Sequence, residues 1–188
     1  SNAEQASTVL RTNLSQLMMD KINIKAEVRD SVLYIDIPGN LPREAVADFT
    51  IATPELRKIS VYGASKIETL GEQTLNQPIL MLDLNGAAEA DLNLAVTHLT
   101  IDAKGASKLE LEGKAENVEI AIAGAGKVDA DDLIVQNMHI NCTGASQADV
   151  HVVRELWAQA AGASKISYQG KPSIKQKMAV GGSFIVRD

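Results

Sequence analysis

An acidic residue stands five positions after a recurrent glycine at Glu68, Asp91, Glu110, Asp129 and Asp149, with Ser167 in the next place. Two positions earlier stand Lys66, Glu89, Lys108, Lys127, Gln147 and Lys165. Carboxylates recurring this way could hold a cation, supply the acid and base of a polysaccharide-cleaving enzyme, or line a binding face. Calcium wants six to eight oxygens converging on one point. A row of stacked residues offers two or three carboxylates, with lysines beside them that oppose the ion, so no metal site is expected. Glycoside hydrolysis needs two carboxylates roughly 5 to 9.5 Å apart. Stacked neighbours meet that distance trivially, so the spacing discriminates little. Seven after the glycine come Leu70, Asn93, Glu112, Asp131, His151 and Gln169, which places Asp129, Asp131 and Asp149 near His151 if the alignment holds.

The remaining chemistry-bearing residues are few. Trp157, the one tryptophan, falls five before a glycine, in series with Thr100, Glu119 and His139. A lone exposed tryptophan can anchor a partner, although more often it packs under a cap or a neighbouring loop. His98, His139 and His151 show no metal-ligand spacing, and a solvated surface role is expected for them. Cys142 is the only cysteine, which excludes an intramolecular disulfide. It shares its position with Ile122 and Ala160, so a buried thiol is expected rather than a nucleophile. Aromatic residues make up 3% of the chain, too few to furnish the platforms of a sugar-cleaving groove. No catalytic residue and no cofactor are assigned.

The element that must position these residues is a repeat. Gly63-Ala64-Ser65, Gly86-Ala87-Ala88, Gly105-Ala106-Ser107, Gly124-Ala125-Gly126, Gly144-Ala145-Ser146 and Gly162-Ala163-Ser164 are followed by a last glycine read as Gly182, with Gly181 a one-residue slip. The intervals are 23, 19, 19, 20, 18 and 20. Between them the chain alternates with period two. Apolar residues fall two before the glycine (Val61, Leu84, Ala103, Ile122, Cys142, Ala160) and four before it (Ile59, Leu82, Ile101, Ile120, Ile140, Ala158). The series six before runs Arg57, Leu80, Leu99, Val118, Met138 and Leu156. This is the half-buried strand pattern. A strand–corner–strand unit of about 19 residues is too short to hold a crossover helix and cannot bury its apolar face alone. Stacking units at the roughly 4.8 Å strand spacing buries each column against itself. The fold expected is therefore all-β, a parallel β-helix of six to seven rungs. The triplets mark its corners, since Gly124-Ala125-Gly126 lacks both the downstream helix and the spacing of a phosphate loop.

The rest of the chain and its composition set the context. Ser1-Asn2-Ala3 reads as an expression scar, left where a signal peptide was removed. Residues 4–56 are assigned to an N-terminal cap and first irregular strands, and 57–188 to the repeat, within the same single domain. Residues 4–20 carry a weak helix-or-loop pattern. "KINIKAEVRDSVLYIDI" alternates on both sides of Arg29-Asp30-Ser31 and reads as a hairpin or two strands. A net charge of -6 gives no basic field for nucleic acid. No apolar run approaches the roughly 20 residues of a membrane span.

"YGASKIETL", "KGASKLELEG", "AGAGKVDADDL", "TGASQADVHV" and the closing "AGASKISYQGKPSIKQKMAVGGSFIV" resemble the putative auto-transporter adhesin, head GIN domain family, over about residues 22–188. The resemblance implies a right-handed parallel β-helix, secreted or in the cell envelope of Gram-negative bacteria, with no catalytic residues to carry over. The expected function is a non-catalytic module presenting strand faces to a glycan or an envelope or host protein. The candidate partner-binding face is Glu68, Asp91, Glu110, Asp129, Asp149 and Trp157. The alternative is a polysaccharide-acting enzyme using stacked carboxylates. A third reading is self-association through open ends or a flat face.

Overall fold

The computed structural model describes residues 7–12, 25–36 and 47–188, and every regular element among them is a β-strand. Contacts divide the chain into two units, Ser1–Pro54 and Glu55–Asp188.

In the first unit β1 (Ser7–Thr12) pairs antiparallel with β4 (Ala47–Ala52). β1 falls in the stretch expected to be helix or loop. Its partner lies some forty residues downstream, and a local pattern carries no trace of such a pairing. The expected hairpin forms from β2 (Lys25–Arg29) and β3 (Val32–Asp36), antiparallel across Asp30-Ser31. Both turn residues have positive φ, 50° and 63°, the two-residue turn whose twist matches that of paired strands. The scar, residues 13–24 and the segment around Pro38 and Pro42 lie outside the described residues.

The second unit is a β-solenoid. It comprises β5 (Lys58–Gly63), β6 (Lys66–Glu68), β7 (Leu75–Gly86), β8 (Glu89–Gly105), β9 (Lys108–Gly124), β10 (Lys127–Gly144), β11 (Gln147–Gly162), β12 (Lys165–Gln169), β13 (Ser173–Gly181) and β14 (Phe184–Arg187). All pair in parallel, in the order β14-β12-β11-β10-β9-β8-β7-β5, with β13 on β11 and β6 on β8. Parallel sheets usually need helices over both faces. Here the coil closes on itself, so the inner face is buried, the outer is wet, and the sequence alternates.

The register stacks like on like. Ile101, Ile120 and Ile140 are consecutive partners, and so are Ala103, Ile122 and Cys142. All are at most 3% exposed. Each glycine corner has positive φ, from Gly63 to Gly162. A Cβ on Gly105 would sit 2.6 Å from the Gly86 carbonyl oxygen, so the corners demand glycine for space as well as for φ. The third triplet residue turns inward: Ser107, Ser146 and Ser164 are buried. Their hydroxyls donate to the carbonyls of Lys104, Thr143 and Ala161, which satisfies a polar group inside an apolar column. Between corners the alternation slips in mid-rung, at 97–98, 116–117, 136–137 and 153–155, where two or three successive residues face outward, and β10 slips a second time at 131–132.

Three expectations need correcting. The last corner is Gly181, not Gly182: Gly181 pairs with Gly162 and has φ 76°. Arg57 does not open the inner column; it is exposed and paired with Glu55, so that column begins at Leu80. Asp131 does not stack on His151, whose partner is Ile134. The rungs differ in length, and the extra residues of β10, including Asp131 and Asp132, are accommodated where the register shifts between Asp129 and Leu133. Counting forward from a glycine therefore fails beyond the first strand segment.

Candidate functional site

The five acidic residues form one continuous ladder. Glu68, Asp91, Glu110, Asp129 and Asp149 are successive register partners, and the ladder ends in buried Ser167. The column beside it is mostly basic, interrupted by Glu89 and Gln147. Lys66 Nζ lies 2.6 Å from Glu68, Lys108 Nζ 2.5 Å from Glu110 and Lys127 Nζ 3.3 Å from Asp129. Gln147 takes the same role toward Asp149 at 2.9 Å. Three rungs thus neutralise their own carboxylate along the strand, at positions i and i+2 on one face, while Asp91, beside Glu89, reaches Lys66 of the neighbouring rung at 4.0 Å. The hydrogen bond from Lys108 holds the Glu110 carboxyl below the usual range, and the same bond raises the lysine. Asp131 moves the other way: burial, then the charges of Asp129 and Asp132, push its carboxyl up. Among the described residues no three His, Cys, Asp or Glu side chains converge as metal ligands would.

Trp157 stands apart from this ladder. It belongs to the column Thr100, Glu119, His139, Trp157, on the strand segment beyond the mid-rung slip. The register therefore does not bring Trp157 into line with the acidic residues. Its indole stacks on the His139 ring, centroids 4.1 Å apart and planes 19° off parallel. Its neighbour is an imidazole on the adjacent rung, an arrangement neither sequence expectation named.

A second column runs beside this one: His98, Asn117, Asn137 and Glu155 are successive partners. Asn137 Nδ2 donates to Asn117 Oδ1 at 2.9 Å, while Asn137 Oδ1 is buried without a partner. The two columns wall a shallow open depression floored by Val118. Sequence reading missed this second column. Its signal was present, a polar residue seven before each of four glycines, but the slip in alternation hides it from a period-two count. Cys142 is fully buried in its inner column, and burial pushes its thiol up to about 11.

The profile of the family described as putative auto-transporter adhesin, head GIN domain, matches residues 16–172. Several solved structures share the fold. A putative adhesin from Bacteroides fragilis is 22% identical with a TM-score of 0.82, over 97% of this chain and 83% of the other. A putative adhesin from Parabacteroides merdae is 17% identical with a TM-score of 0.69, over 98% and 97%. A putative lipid binding protein from Parabacteroides distasonis is 16% identical with a TM-score of 0.71, over 97% and 85%. No curated protein matches the chain. At these identities the structures speak for the fold, while the profile covers most of the sequence; the chain belongs to the putative auto-transporter adhesin, head GIN domain family.

Proposed function

We propose that the protein is a non-catalytic binding module of the cell envelope or the extracellular space, whose outward columns contact a glycan or a protein. The observation that carries this is the character of the acidic ladder. Its carboxylates lie on a strand face, and four of the five have a lysine or glutamine partner within their own rung. A general acid works with a raised pKa, whereas Glu110 in the ladder is lowered. Such a face suits many weak contacts repeated along a rod, which gain strength by multivalency. Family membership supports the same reading.

The test is an array carrying neutral oligosaccharides, acidic oligosaccharides, basic peptides and extracellular-matrix proteins. Saturable binding without turnover of the bound glycans is expected, weakened by the double substitution Asp129→Asn, Asp149→Asn. Silence across the whole array, or release of cleaved saccharide by the unsubstituted protein, would overturn the proposal.

A further inference from the structure

The outward side chains of the solenoid are of two kinds. Most charged ones are already engaged: Lys66 with Glu68, Lys104 with Asp102, Lys108 with Glu110, Lys127 with Asp129. The depression between the Asn117–Asn137 pair and the His139–Trp157 stack is different. Among the described residues, the side chains of His98, Glu119, His139 and Trp157 take part in no hydrogen bond or ion pair, although all four line this one hollow. Hydrogen-bonding capacity gathered in a hollow and left unused by the chain is capacity a ligand can use.

The chemistry of the hollow narrows that ligand. Lys175 holds Glu155 at 3.1 Å, which leaves Glu119 as the uncompensated charge there among the described residues. A bare carboxylate repels uronates, sulfates and phosphates. Two amides, two imidazoles, an indole N–H and a carboxylate offer donors and acceptors interleaved. Neighbouring hydroxyls, each able to donate and accept, complement such a set. A lysine or arginine side chain would pair with Glu119 but leave the imidazole and indole donors unused. The two rings each cover one face of the other, and the indole N–H and imidazole nitrogens remain for hydrogen bonding at the flank of a sugar ring.

We infer that this depression is a subsite for one residue of a neutral, hydroxyl-rich glycan. The inference rests on the binding-module reading and is finer than it. Trp157 is the only tryptophan, so its intrinsic fluorescence reports from within the site. Neutral hexose and N-acetylhexosamine oligosaccharides are expected to bind on the array and, in solution, to change that fluorescence saturably. Asn137→Ala and Glu119→Gln, each with its fold checked by circular dichroism and urea midpoint, should weaken binding at least about tenfold. Lys114→Ala, exposed on the same rung, should leave it unchanged. Binding confined to acidic glycans, basic peptides or matrix proteins overturns the subsite while the module reading stands. So does neutral-glycan binding that neither Asn137→Ala nor Glu119→Gln moves. A wholly silent array removes both.

Discussion

At the scale of single residues, the corner glycines are the least replaceable positions. Gly105 has φ +89°, and a Cβ there would meet the Gly86 carbonyl oxygen at 2.6 Å. Gly105→Ala should therefore cost about 2–4 kcal/mol, the left-handed backbone penalty plus overpacking. Gly182 has no positive φ, and a Cβ would lie 3.6 Å from the Gly162 oxygen. Gly182→Ala should change stability by less than about 0.5 kcal/mol in the same urea titration. Equal losses at the two sites would contradict the corner assignment. Cys142 gives a second prediction. Its folded thiol stays protonated to about 11 against an ordinary value of 9.0. The folded state therefore binds the proton more tightly. The contribution is fully present below pH 9 and fades as pH rises toward 11, by up to about 3 kcal/mol. Other groups titrate in that range, so the measurement is the difference in alkaline stability between the native chain and Cys142→Ala. A difference that stays constant with pH would refute it.

At the scale of elements, the inner columns and the outer ladders contribute unequally. Ile120 is 3% exposed and stacks between Ile101 and Ile140. Ile120→Ala should cost about 2–4 kcal/mol through lost burial and the cavity left behind. On the same strand, Lys108 and Glu110 form an exposed pair along one face. Lys108→Ala should move the denaturation midpoint far less than Ile120→Ala does, and less still at high salt. Chemical denaturation of both variants at low and high ionic strength checks the contrast. A larger loss at Lys108 would mean that the ladders, not the core, hold the rungs in register. The strand elements also explain which site predictions survived. Residues within a few positions of a glycine, such as Glu110 and Asp129, align as counted. Asp131 does not, because rung length varies between the corners and the excess is taken up in mid-strand.

At the scale of the whole solenoid, its last rung shows how an edge is managed. The column that reads Ile101, Ile120, Ile140, Ala158 ends in Lys177, whose Nζ lies 5.9 Å from the centre of the Tyr168 ring. In the neighbouring column Tyr168 is followed by Arg187. A cation at an inward position blunts an edge against further strand addition. Met178, Val180 and Phe184 are exposed on the same rung, so apolar surface for association is at hand once that block is removed. Lys177→Ile is expected to shift sedimentation velocity profiles toward larger species as concentration rises, relative to the unsubstituted chain. Unchanged profiles at every concentration would show that Lys177 does not guard this edge.

The sequence by itself determined the solenoid, because each rung is the template for the next. Glycine spacing and period-two alternation record that stacking in one dimension, and they place the inner columns, the acidic ladder and buried Cys142. Only the tertiary structure decided what lies across unequal rungs. It moved Asp131 away from His151, set the last corner at Gly181, and stacked Trp157 on His139 beside the Asn117–Asn137 pair. It also paired β1 with β4 across a long stretch of intervening chain. The physical reason is the same in each case. A repeat fixes neighbours only where rungs are in phase, and bulges, slips and long-range pairings depend on three-dimensional packing that no local count contains.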